Sequence, residues 1–166
     1  MVNVVRFNAL NEPFQKNVAA WVFYEWREDY EEIGISNTEQ TVEHLKTIPC
    51  WVATDYTAPM GCVCIEKDDL PNTSLNPWIS SLYVDWRFRG RGVGTALLHT
   101  ALKNAPRPVY LWCQPTLTPW YRKHGFEPLF QQIKSKQAKI TIMHFDDTPA
   151  KPDPRLPGHK TRVRQG

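Results

Sequence analysis

The chain has 166 residues, of which 42% are hydrophobic and 22% charged, and its formal net charge is +3. These values are typical of one soluble globular domain with a sizeable core, and so mild a charge does not argue for nucleic acid as a partner. No apolar run approaches the roughly 20 residues that a membrane span needs, and the first residues lack the charged-then-apolar layout of a signal peptide, so we expect a cytoplasmic protein without a membrane partner.

Hydrophobic periodicity and turn residues predict the following elements in chain order: a strand over 2–10, helices over 13–29 and 38–48, strands over 50–57, 62–67 and 78–84, a helix over 92–104, a strand over 109–113, a helix over 120–124, and strands over 126–130 and 140–145. Asn11 is the expected cap of the first helix, and Ser36 or Asn37 that of the second. The acidic run 28–32 follows the first helix and is interpreted as a solvated turn, with attraction of a cationic acceptor as the alternative. Beyond 147 the chain is rich in proline and basic residues, so we divide it into a domain over 1–147 and a flexible tail over 148–166.

Four cysteines, Cys50, Cys62, Cys64 and Cys113, have spacings that match no zinc pattern, and we predict no metal site. Cys62 and Cys64 are two residues apart on one predicted strand, so their side chains point to the same face. Buried thiols are the expected state of these cysteines, and a nucleophilic role is the minor alternative.

A glycine-rich segment, Arg89-Gly90-Arg91-Gly92-Val93-Gly94-Thr95, connects the strand over 78–84 to the helix over 92–104. Unpaired N–H groups and the dipole at a helix start form an anion site, and a nest of such amides suits a pyrophosphate. The segment lacks the lysine of a Walker loop and the Gly-x-Gly-x-x-Gly order of a dinucleotide fingerprint. A glycine-rich turn that binds nothing is the structural alternative.

The pattern Arg-x-x-Gly-x-Gly, formed by Arg89, Gly92 and Gly94 and preceded by a strand and Val84-Asp85, resembles the acetyl-CoA loop of the GNAT superfamily of N-acetyltransferases. The segment 120–126, Trp-Tyr-Arg-Lys-His-Gly-Phe, resembles the Tyr-x-x-x-Gly-Phe segment of the same superfamily, and the order of the predicted elements agrees with it. The resemblance implies a mixed α/β single domain. Its central, mostly antiparallel sheet is splayed after the fourth strand, beyond Val84, and flanked by helices.

The resemblance also implies the co-substrate, acetyl-CoA, and residues that contact it. In the family, the tyrosine of the second segment protonates the CoA thiolate, which gives Tyr121 that role here. Backbone groups of Leu82, Tyr83 and Val84 would hold the pantetheine and the thioester oxygen. The loop from Arg89 to Thr95 would bind the phosphates, and Gln114 replaces the asparagine that contacts the cofactor in many relatives. A packed helix aromatic is the alternative for Tyr121.

The general base is not evident from the resemblance, because the strand over 78–84 begins without the carboxylate that many relatives carry there. Glu66 on the neighbouring strand is the first substitute, followed by Asp68, Asp69 and His124. Each of them could equally be an ordinary surface residue, and a water chain could replace them.

The sequence thus predicts an N-acetyltransferase that transfers acetyl directly, in a ternary complex, to a primary amine of a small molecule, peptide or protein. It leaves a homodimer open. A catalytically silent acyl-CoA-binding or regulatory module on the same fold is the first alternative. A nucleic-acid-binding protein using Arg87, Arg89, Arg91 and the basic tail is the second, and a steep dependence of affinity on salt would reveal it.

Overall fold

A computed structural model describes residues 2–134, 138–150, 152, 154 and 155 of the chain. Most of the predicted tail over 148–166 therefore lies outside the described residues, and the division at 147 stays a prediction. No described helix is both long and apolar enough to cross a membrane.

Within the described residues, seven strands and five α-helices form a three-layer mixed α/β arrangement with the sheet in the middle. In chain order they are β1 (Asn3–Arg6), α1 (Glu12–Glu25), α2 (Arg27–Glu32), α3 (Thr38–Thr47), β2 (Cys50–Thr54), β3 (Pro59–Glu66), β4 (Trp78–Val84), α4 (Val93–Asn104), β5 (Val109–Cys113), α5 (Thr118–Lys123), β6 (Glu127–Ile133) and β7 (Lys139–Phe145). The predicted fold class is confirmed, and the predicted bounds of β4 and β5 agree with the structure at both ends.

Alternation along β2 and β3 separates two hydrophobic cores on the two faces of the sheet. Val63 and Ile65 on β3 pack with α4 residues such as Leu97, whereas Cys62 and Cys64 pack on the opposite face with residues of α1 and α3. All four cysteines are buried and free, as predicted from their apolar surroundings. Around β2 and β3 each face of the sheet is thereby covered by helices.

The first helix is shorter than predicted because the helical conformation ends at Trp26, whose φ of −118° and ψ of 39° are not helical. The acidic run accordingly belongs to a separate helix, α2, instead of a turn. Asn11 and Asn37 cap their helices as expected: their side-chain oxygens accept hydrogen bonds from Phe14 N at 2.9 Å and Gln40 N at 2.8 Å.

The strand order β1-β2-β3-β4-β5-β7-β6 is antiparallel except between β4 and β5, which are parallel and pair at Trp78 and Tyr110. Beyond this point the two strands diverge. The opening begins near the start of β4, further back along the strand than Val84, where the sequence placed it. A cleft therefore separates the two halves of the sheet at its centre.

A β-bulge distorts β4 opposite β3, where Ser81 takes a φ of 51° and the register shifts between Cys62 and Cys64. Bulges of this kind bend a strand and redirect its side chains next to functional sites. Gly61 allows the two strands to approach, because a Cβ there would lie 2.5 Å from the Tyr83 carbonyl oxygen.

Candidate active site

The cleft between β4 and β5 contains a cavity of about 520 Å³. Residues of both strands line it, together with residues of α1, α2, α4, α5 and the loops beside them. It extends from the N-terminus of α4 to α2, so its two ends differ in chemistry. The α4 end includes Val84, Arg89, Gly94, Gln114, Leu117, Trp120 and Tyr121, and the α2 end includes Glu25, Trp26, Asp29, Tyr30, Asp69 and Trp112.

A second cavity of about 190 Å³ adjoins the first at the start of α4 and shares Val84, Arg89, Gly94 and Trp120 with it. Its other lining residues are Phe88, Gly90, Gly92, Val93 and Thr95. Gly92 is the N-cap of α4 with a φ of 78°, a left-handed conformation that favours glycine, and it offers no side chain to the amides of the first turn. These amides and the helix dipole therefore face a small open cavity, as an anion site requires.

A buried carboxylate, Asp85, follows β4 and stabilises the turn that leads into this loop. Asp85 accepts hydrogen bonds from Arg87 N and Arg87 Nε, each at 3.0 Å, and the Arg87 guanidinium lowers the pKa of this carboxyl. Arg89 Nε donates a hydrogen bond of 2.8 Å to the Val84 carbonyl oxygen, and its guanidinium lies 5.7 Å from the Tyr83 ring centroid. The side chain of Arg89 thus reaches back to β4, and Arg91 lies against Phe88, outside both cavities.

Tyr121 lines the larger cavity from α5 and is 9% exposed. Its ring packs edge-on against Trp120 and Phe126, with centroid distances of 4.9 and 5.8 Å. Burial raises the pKa of its hydroxyl, so the phenol is protonated at neutral pH and acts as a hydrogen-bond donor. Tyr121 therefore packs against aromatic rings and also lines the cavity, and its role at the CoA sulfur stays a prediction.

The α2 end of the cavity combines carboxylates with buried polar atoms that have no hydrogen-bond partner among the described residues. These atoms are Tyr30 Oη, Ser80 Oγ and Trp112 Nε1. Tyr30 is 6% and Ser80 5% exposed, so their unmade hydrogen bonds are costly without a ligand or water in the cavity. Asp29 forms an ion pair with Lys134, whose ammonium lies 4.4 Å from the Trp112 ring centroid.

Glu66 and Asp69 occupy neighbouring places at this end, but Asp69 alone of the two lines the cavity. Burial and the adjacent Glu66 carboxyl raise the pKa of Asp69 well above its usual range. Glu66 Oε1 lies 2.7 Å from His44 Nε2. Asp68 is exposed, and His124 lies against Trp120 with its ring tilted and is not among the lining residues. No group of three or more metal-ligating side chains occurs in the described ranges.

Of the residues predicted from the sequence, the larger cavity brings together Leu82, Tyr83, Val84, Arg89, Gly94, Gln114 and Tyr121, and the smaller one adds Gly90, Gly92, Val93 and Thr95. Sequence reasoning missed Trp26, Tyr30, Ser80 and Trp112. None of these belongs to a motif, and they meet because of the break at Trp26 and the bulge at Ser81.

Comparison with known proteins agrees with this arrangement. A family model described as an acetyltransferase (GNAT) domain matches residues 46–128. PH1933 from Pyrococcus horikoshii OT3 superposes with a TM-score of 0.63 at 20% identity, covering 90% of this chain and 100% of its own. A GNAT-family acetyltransferase from Streptococcus pneumoniae gives 0.62 at 16%, covering 87% and 98%. The yncA structure from Salmonella typhimurium, which holds its cofactor acetyl-CoA, gives 0.64 at 15%, covering 93% and 99%. At these identities the likeness concerns the fold, and the chain matches no curated protein.

Proposed function

The chain belongs to the GNAT acetyltransferase family, and from this premise we propose that it transfers an acetyl group from acetyl-CoA to a primary amine in a ternary complex. The acceptor is an amine of a small molecule or peptide. The observation that carries the proposal is the junction of two cavities at Gly94 and Trp120. One cavity lies between diverging strands, and the other lies on the amides of a helix start.

In this proposal the pyrophosphate of acetyl-CoA binds at the smaller cavity, against the amides that follow Gly92. The pantetheine then runs through the junction into the cleft, alongside Leu82, Tyr83 and Val84. Because β4 pairs with β5 only at Trp78 within the described residues, its backbone groups facing the cleft further on have no strand partner. They can bind the pantetheine amides as a neighbouring strand would. Gln114 faces the same channel from the end of β5 and is proposed as a side-chain contact to the cofactor.

The reaction requires a neutral amine, a donor to the thioester oxygen and a partner for the departing sulfur. A backbone N–H of β4 is proposed as the donor that stabilises the developing oxyanion. The Tyr121 hydroxyl is proposed to donate to the thiolate as the C–S bond breaks. Its raised pKa keeps the hydroxyl protonated until the sulfur develops charge. For deprotonation of the amine we propose the neighbouring carboxyl groups of Glu66 and Asp69 at the α2 end of the cavity.

Titration calorimetry with acetyl-CoA, followed by a panel of primary amines with a thiol reagent to detect released CoA, tests the proposal. We expect saturable binding of acetyl-CoA and amine-dependent release of free thiol. Binding without release across the panel would favour the silent acyl-CoA module instead. Absence of acetyl-CoA binding would overturn the assignment of both cavities.

A further inference from the structure

The loop after β3 brings a carboxylate, that of Asp69, into the wall of the cleft. The side chain is half-buried, and charged or titratable groups approach it from several elements. They are Glu66 on β3 and Asp29 on α2 with its partner Lys134 after β6, whereas Tyr30 on α2 and His44 on α3 interact with Glu66. The Trp112 N–H also interacts with Asp69, too loosely for an ordinary hydrogen bond.

We propose that Asp69 is the catalytic residue that takes the proton from the acceptor ammonium, and that Glu66 and His44 pass this proton to the surface. The inference rests on the proposed function. It assigns to Asp69 the removal of the acceptor proton, for which Glu66 was the first candidate from the sequence. Asp69 contacts the substrate, whereas Glu66 and His44 act through Asp69 as positioning and relay residues.

Geometry separates the roles of the two carboxylates. Asp69 lines the cavity, so an amine in the cleft can reach it. Glu66 lies behind it, with 14% of its side chain exposed and Oε1 bonded to His44 Nε2 at 2.7 Å. His44 is 22% exposed and forms the outer end of the row. The three side chains thus extend from the cleft to solvent, and α3 supplies the last of them.

The charged groups around Asp69 favour its action as a base that removes a proton from the acceptor ammonium. Two adjacent carboxyl groups do not readily ionise together, so the pair retains a proton to higher pH than an isolated aspartate. A carboxylate whose conjugate acid has a higher pKa is a stronger base toward the ammonium. Asp29 is balanced by Lys134, so the remaining negative charge at this end comes from Glu25 and the Asp69–Glu66 pair.

The protons balance as follows. The ammonium gives one proton to Asp69, and the neutral nitrogen forms a C–N bond to the acetyl carbon as the C–S bond breaks. The nitrogen then loses a second proton, and one of the two reaches the CoA thiolate, where Tyr121 acts. The other leaves through Glu66 and His44 to water. The products are the N-acetyl amide, CoA thiol and one proton in solution.

The test compares Asp69→Asn with its neighbour Asp68→Asn, a matched control at an exposed position. The probes are 2-phenylethylamine, propylamine and cadaverine, each beside a fluorinated analogue whose amine is far less basic. For the basic amines we expect Asp69→Asn to lower kcat/KM by about 100-fold or more, and the remaining rate to follow the neutral fraction of the amine, rising with pH toward the pKa of the amine itself. For the fluorinated amines, which are already neutral, the loss should be less than about tenfold. Asp68→Asn should match the wild type on both.

Glu66→Gln provides a readout that a merely structural role would not change. Removal of the neighbouring carboxyl should lower the pKa of Asp69, so the acid limb of the pH profile should move to lower pH while activity on fluorinated amines persists. Equal losses on basic and fluorinated amines, or wild-type activity in Asp69→Asn, would overturn the inference while leaving acetyl transfer intact. Failure of the proposed function is distinguishable, because the wild type would then release no CoA with any amine.

Discussion

Replacement of Gly94 by aspartate should weaken acetyl-CoA binding by about 30- to 700-fold without unfolding the protein. A Cβ at this position would lie 3.6 Å from both Val84 Cγ2 and Trp120 Cζ2, an ordinary contact, and the backbone φ is not left-handed. Aspartate in the first turn of a helix is also favourable to the helix. The fold should therefore be retained, and the effect should fall on the ligand.

The magnitude follows from charge. A unit charge about 4 Å from another contributes about 1 kcal/mol in water and about 4 kcal/mol at an effective dielectric constant near 20. A half-open phosphate site lies between these limits, so about 2–4 kcal/mol of repulsion is expected, at about 1.4 kcal/mol per tenfold in the dissociation constant. The matched control is Gly94→Asn, which adds the same bulk without the charge and should bind much more tightly than Gly94→Asp.

Titration calorimetry at two salt concentrations measures the difference. Raising the ionic strength should narrow the gap between the aspartate and asparagine variants, because screening reduces the repulsion. Equal affinities for the two variants and the wild type would refute the assignment of the phosphates to this loop. Equal weakening by both would refute the electrostatic reasoning.

Three further predictions concern separate parts of the molecule. Tyr121→Phe should lower kcat by about 100-fold or more while the dissociation constant of acetyl-CoA stays within about twofold, measured by pre-steady-state kinetics and calorimetry; a wild-type rate in the chemical step would exclude the hydroxyl from catalysis. Asp69→Asn should raise the melting temperature at neutral pH. Because the pKa of Asp69 is raised in the folded protein, the wild type loses stability as pH rises from the usual aspartate range through that raised pKa. The difference in melting temperature between variant and wild type should therefore vanish below about pH 3, under the usual aspartate range. An unchanged melting temperature at neutral pH would contradict the raised pKa. Asn37→Ala should cost about 1 kcal/mol in the free energy of unfolding by urea denaturation, because the cap to Gln40 N is lost, whereas Ser36→Ala should change it by less than about 0.5 kcal/mol; equal effects would contradict the cap assignment.

The strand, loop and helix at the α4 end of the cavity were predictable because they are local in sequence. The apolar run of β4, the glycines after Arg89 and the helical spacing that follows are contiguous. Local sequence signals are therefore sufficient to indicate this strand, turn and helix. The same holds for Tyr121, whose segment is closed by Gly125, a residue with a φ of 91°. Short-range rules of strand end and helix start are sufficient for these elements.

The arrangement of residues at the α2 end of the cavity was not predictable in this way. The break at Trp26 contains neither proline nor glycine, so no local rule marks it, and the bulge at Ser81 depends on the register with β3. Asp29, Asp69 and Trp112 come from three distant parts of the chain and meet only across the cleft. The sequence could name Glu66 and Asp69 as carboxylates near the right strand, but their order from cleft to surface is a tertiary property.

A crystal structure of the protein with acetyl-CoA bound would test the proposed position of the co-substrate. We expect the pyrophosphate oxygens to lie within hydrogen-bond distance of the amides following Gly92, and the pantetheine to pass between β4 and β5. The thioester should then lie beside the Tyr121 hydroxyl. Acetyl-CoA bound elsewhere at saturating concentration, with the cleft between β4 and β5 left empty, would contradict it.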